Sequence, residues 1–231
     1  MKEPYQESND EMSLNNEEIE KKSRMSRTAN ITLQLVGAAL FGALSLVFSA
    51  FVTPIIPRLP FGIAFFDPVS ILWITCFLFF GTKSGILCCF IGTAGLIPFD
   101  PFTPIGPLMK LAATLSLIIV PIIWLKLYKS VEGVKNSQKI KNVKNYIITG
   151  SFGTLLRICI MIICNSLLFM TLYSPFLLST NLGFIGLPGI SGWTAVIITV
   201  ILINAETSLW DLLVPYLLVF GTKLDEKFEI W

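Results

Sequence analysis

From Thr28 onward the chain alternates between long apolar runs and short stretches rich in proline, glycine or charge. Runs of about 20 apolar residues are what a helix needs to cross a hydrocarbon core about 30 Å thick. In order, the pattern predicts spans over 28–52, 68–80, 84–98, 108–127, 146–173 and 193–220. The expected fold is an all-α membrane protein of six transmembrane helices over 28–223, with tails over 1–27 and 224–231. Residues 1–27 turn from acidic to basic and show no helical apolar face, so they read as a disordered tail. Asp67 as N-cap with Pro68 at the first helical position is a strong helix start. The run Pro68–Phe80 then reaches only about 20 Å at helical rise. The missing length falls to residues 59–66, which are expected to fold over or into a cavity. Irregular backbone at membrane depth has to be buried in protein or line a cavity.

The first span carries a second pattern inside its apolar one. Ala38, Gly42, Ser45 and Ser49 recur at i, i+4, i+7 and i+11, and Ala39, Ala43 and Ala50 form a ladder beside them. At helical spacing this makes a strip of nearly bare backbone, which allows another helix to approach closely in a bilayer. The strip suits either packing within the chain's own bundle or docking of another protein.

Composition and charge sharpen this picture. Apolar residues make up 54%, charged residues 14%, and mean hydropathy is +0.74, far from a soluble domain. When six spans are threaded, all but Arg58, Lys110 and Arg157 of the 17 Lys and Arg residues fall on one side. That side is expected to be cytoplasmic, with both termini inside a cell membrane. The chain has no histidine, which removes histidine-based acid–base, nucleophile-activating and metal-binding arrangements. Cys76, Cys88, Cys89, Cys159 and Cys164 lie in apolar runs without ligand spacing and read as small buried apolar residues. Gly81-Thr82-Lys83-Ser84 lacks the G-x-x-x-x-G-K-S/T spacing of a phosphate loop. Phe80-Gly81-Thr82-Lys83 resembles Phe220-Gly221-Thr222-Lys223 only because both suit a helix stop at a charged interface. No enzymatic constellation, metal site, cofactor site or nucleic-acid surface is expected.

Polar residues inside a membrane are candidate functional sites. At helical rise, Asn165 and Asn204 reach similar depth, about 26 Å from the basic side. Asp67, Lys110, Trp193 and Tyr173 are expected at the same outer end. Together they describe an outward pocket for a small, flat molecule with polar edges; the bland alternative is interhelical bonding plus an interfacial aromatic belt. Arg157 and Asp211 also match in depth and read as a buried ion pair, in a network with Glu206, or as part of an ion or proton path.

Across residues 30–223 these features resemble the substrate-binding S components of energy-coupling factor (ECF) vitamin transporters, closest to the riboflavin-binding branch. The features are Ala39 and Ala43 with Ala38 and Gly42 alongside, Phe66-Asp67-Pro68-Val69-Ser70-Ile71-Leu72, Gly106-Pro107 before the fourth span and the basic loop after it. Asn165 and the long sixth span with Asn204 complete them. The resemblance implies capture of an external vitamin. It also implies partnership with a transmembrane T component and two ATPase subunits, docking through Ala39 and Ala43, and substrate contacts from Asn165 and Asn204. The chain departs from that pattern in two places. Thr207 stands where a lysine would follow Asn204 by three positions, and Lys110 stands where an uncharged residue is more usual. Other readings of the same residues are a stand-alone secondary transporter coupled through Arg157, Glu206 and Asp211, and a membrane scaffold without a small-molecule ligand.

Overall fold

The computed structural model describes residues 4–56, 66–100, 102–127 and 136–228. It is mostly helical. The longest element, α1, runs Pro4–Phe51. It is followed by α2 (Pro68–Phe80), α3 (Thr82–Leu96), α4 (Ile105–Leu127), the short α5 (Asn136–Lys141) and α6 (Val143–Thr171). A two-stranded hairpin, β1 (Asn181–Leu182) and β2 (Leu187–Ser191), leads into α7 (Gly192–Tyr216). A π-helical turn over Leu217–Gly221 and the short α8 (Leu224–Phe228) end the described chain. The connection over 57–65 with Arg58, the basic loop over 128–135 and residues 229–231 lie outside the described residues.

Among the described residues, four helical stretches are long and apolar enough to cross a membrane: Thr28–Phe51, Ile105–Leu127, Val143–Thr171 and Gly192–Gly221. α2 and α3, at 13 and 15 residues, span about 20 and 22 Å at 1.5 Å per residue. They are apolar but shorter than a hydrocarbon core. The tail also differs from expectation, because α1 is already helical at Pro4 where disorder is expected.

Packing arranges α2, α3, α4, α6 and α7 as a ring in which each helix touches the next and α7 returns to α2. α1 lies outside the ring against α2 and α3. Successive long helices alternate in direction. α1 and α3 run parallel, since Gly37 faces Phe80 while Leu46 meets Gly95; α6 and α7 run antiparallel, with the Tyr146 hydroxyl on the Leu212 carbonyl at 2.7 Å. The start of α1's apolar part and the end of α7 therefore share one end of the bundle.

That end is solid. Trp73, Phe77, Leu78, Ile118 and Val219 form its core with Cys76, Cys88 and Cys89. Gly92 makes room for Trp73: a Cβ there would collide with the indole ring. Cys159, by contrast, is exposed on the outer face of α6, so the expectation of five buried cysteines holds for three. Gly81 turns α2 into α3 with φ 97°, a left-handed backbone that glycine adopts at no steric cost. At the similar Phe220–Lys223 stretch the positive φ falls on Lys223 instead. The two stops are thus built differently.

Candidate functional site

The far end of the bundle is open because α2 is short. Its first residue begins well below the tops of α4, α6 and α7, and a cavity of about 940 Å³ occupies the space above it. Tyr173, just past the end of α6, lines the upper part of this cavity, and one stripe of α6 lines it below: Arg157, Met161, Asn165 and Phe169. These residues recur every four positions and so share a face of the helix. Val200, Ile203, Asn204 and Thr207 form the facing stripe of α7, and Ile105, Met109, Lys110 and Ala113 that of α4.

At the bottom, Asp67 caps α2. Its Oδ1 accepts from the Val69 N–H at 3.1 Å and its Oδ2 from the Ser70 hydroxyl at 2.9 Å. Lys110 Nζ reaches across from α4 to the same Oδ1 at 3.1 Å, and the Thr114 hydroxyl donates to Ser70 at 3.2 Å. α2 is thus tied to α4 by an ion pair and a hydroxyl pair one turn apart. Asp67 and Lys110, expected at the outer end, line the cavity there; they sit at its floor, since the N-cap of a helix of about 20 Å stays below the rim when its other end, Gly81, sits at the closed end.

Beside this pair lies a second one. Arg157, 5% exposed, donates from Nη1 to Asp211 Oδ2 at 2.6 Å, from Nε to Asn204 Oδ1 at 3.1 Å and from Nη2 to Thr207 Oγ1 at 3.1 Å. Asp211 is fully buried behind it and does not line the cavity. α7 supplies all three acceptors at positions 204, 207 and 211, spaced i, i+3 and i+7 on one face. Asn204 also donates to the Val200 carbonyl at 2.8 Å, so its carboxamide is engaged on both sides. Asn165 donates to the Met161 carbonyl at 2.8 Å; its carbonyl oxygen accepts no hydrogen bond among the described residues.

Of the sequence-derived candidates, Asn165, Asn204, Asp67, Lys110 and Thr207 meet around this one cavity, whereas Trp193 does not line it. Glu206 stands apart from the Arg157 network. Its Oε1 accepts from Trp210 Nε1 at 2.7 Å, one turn along the outer face of α7, because position 206 points away from the 204–207–211 face. Sequence reasoning misses Ser70, Asp100 and the aromatic mouth made by Phe99, Phe102 and Phe176 with Tyr173. Ser70 was legible as the third residue after the Asp67 cap. The mouth was not, since it depends on where the connection before α4, in which the Phe102 N–H donates to Asp100 Oδ1 at 2.8 Å, places its side chains around the cavity. In α1, Ala38 and Gly42 are buried against α2 and α3 while Ala39 and Ala43 face outward. The two ladders thus part.

Comparison with protein-family models, with curated proteins and with solved structures finds no match for this chain. The arrangement itself can bind a small molecule: an enclosed apolar wall, a few fixed polar groups and an aromatic entrance are the usual makings of such a site.

Proposed function

We propose that this chain is the substrate-binding membrane subunit of an ECF-type ATP-driven importer, taking riboflavin or a related flat heteroaromatic vitamin from outside the cell. The cavity of about 940 Å³ carries the reading. It opens at the end of the bundle opposite the chain termini and sets an unengaged Asn165 carbonyl, Lys110 and Arg157 beneath a collar of aromatic rings. In this reading both termini are cytoplasmic, and energy comes from a T component with two ATPase subunits. Docking falls to the outward ladder of α1, because Ala39 and Ala43 are exposed on a helix that sits outside the ring with its other face occupied.

The test is assembly and transport. Co-expressed with T and ATPase subunits, the chain should purify as a complex and support vitamin uptake that depends on ATP hydrolysis. Ala39→Trp plus Ala43→Trp should abolish the complex while leaving vitamin binding by the isolated chain unchanged. Assembly and uptake that survive the double substitution would remove the docking face. Uptake without any ATPase partner would identify a stand-alone secondary transporter instead.

A further inference from the structure

The two ends of the cavity differ in chemistry, and the difference assigns an orientation and a charge to its ligand. Near the mouth are Phe99, Phe102, Tyr173 and Phe176; at the bottom are Lys110 and Arg157. Each bottom cation is bonded to a carboxylate yet keeps donor capacity. Lys110 has three N–H bonds and gives one to Asp67. Arg157 has five and gives three, to Asn204, Asp211 and Thr207. The carboxylates have less to offer. Asp67 already takes the Val69 N–H, Ser70 and Lys110, and Asp211 is out of reach behind Arg157. Among the described residues, then, the deep wall presents spare donors on cations and no readily available carboxylate.

We propose that Lys110 and Arg157 receive the oxygen-bearing edge of a neutral ring ligand, which enters edge first and leaves its apolar part among the aromatic rings. This rests on the ligand-binding reading above. A cationic ring without a carbonyl would leave the spare N–H bonds of Lys110 and Arg157 unused. An anionic ligand would gain little, since the two ion pairs balance and Asp100 adds a negative charge at the mouth. A ring carbonyl satisfies the spare N–H bonds without adding charge, and hydrogen bonds from charged donors are the stronger kind. Asp67 holds the Lys110 ammonium in place and does not itself take the ligand.

The experiment titrates the purified full chain with riboflavin, which is neutral with two ring carbonyls, and with thiamine, a cationic heteroaromatic without one. Riboflavin should bind about tenfold or more tighter than thiamine. Lys110→Met alone would strand the Asp67 charge, so the informative variant is Asp67→Asn with Lys110→Met, which removes both charges and keeps an N-cap residue. It should fold and bind riboflavin about ten- to a hundredfold more weakly. Asp67→Asn alone, which frees the ammonium, should hold riboflavin within a few-fold of the unsubstituted chain or more tightly. Thiamine bound as tightly as riboflavin, an unchanged affinity in the double variant, or loss of binding in Asp67→Asn alone would each overturn the proposal. If the unsubstituted chain binds neither compound, the ligand-binding reading falls with it; if it binds riboflavin but the variants contradict, the orientation alone is wrong.

Discussion

Arg157 owes its place to three acceptors on one face of α7, and those bonds bear directly on stability. A buried guanidinium is tolerable when its charge is matched and its N–H bonds are used. Asp211 supplies the match but keeps one oxygen, Oδ1, without a partner among the described residues, so the pair is held with little surplus. Asp211→Ala should therefore cost about 3–5 kcal/mol of stability by leaving Arg157 uncompensated. Replacing both, as Arg157→Met with Asp211→Leu, should recover most of that loss, since well-packed apolar residues often match or exceed a buried pair. Thermal unfolding in detergent separates the cases: a double variant as unstable as Asp211→Ala would mean that the pair is not what the single substitution breaks. The pairing was legible from matched depths in two spans. That Asn204 and Thr207 also serve Arg157 was not, because depth says nothing about which way a long side chain reaches.

At the scale of elements, the short α2 decides where the cavity lies. Its start was readable in Asp67-Pro68, and its length in the 13 residues before Gly81. The consequence, an ion pair with Lys110 well inside the bundle, follows once the closed end is fixed by Trp73 seated on Gly92. The α6 stripe from Arg157 to Phe169 was equally readable as a four-residue period. The hairpin over 181–191 was not legible, because it depends on the positive φ of Gly186 and a Leu182 side chain buried from outside the helices. The closed end has a further tether: Lys141 of α5 bonds Glu226 at 2.7 Å and Asp225 at 3.0 Å on α8. Hydrogen bonds from Glu226 and then Asp225 raise the Lys141 pKa above its usual 10.5, and the bond to Lys141 holds Glu226 below its usual 4.5. The Lys141 contribution is complete below about 10.5 and is lost as pH rises through its raised value; the Glu226 contribution is complete above about 4.5 and is lost as pH falls through its lowered value. Protection of the α8 amides, taken relative to their intrinsic exchange rate at each pH, should be greatest between these limits and fall on both sides. A profile that follows only the intrinsic exchange rate would show that the tether holds nothing.

For the whole molecule, a ring of five helices with α1 outside it divides the labour between a cavity at one end and an exposed small-residue ladder along one side. The apolar pattern located the helices, and the two interleaved ladders of α1 predicted a face without saying which one. Burial of Ala38 and Gly42 leaves Ala39 and Ala43 outward, a choice that only the packing of α2 and α3 could make. Whether the open end holds a flat heteroaromatic vitamin, as proposed, is read from the mass and absorption spectrum of the compound that remains on the chain after gentle purification. A heteroaromatic small molecule should remain in about one-to-one ratio, and Asn165→Ala should release it. A chain that purifies empty, and to which no riboflavin or related vitamin can be titrated, would contradict the proposal.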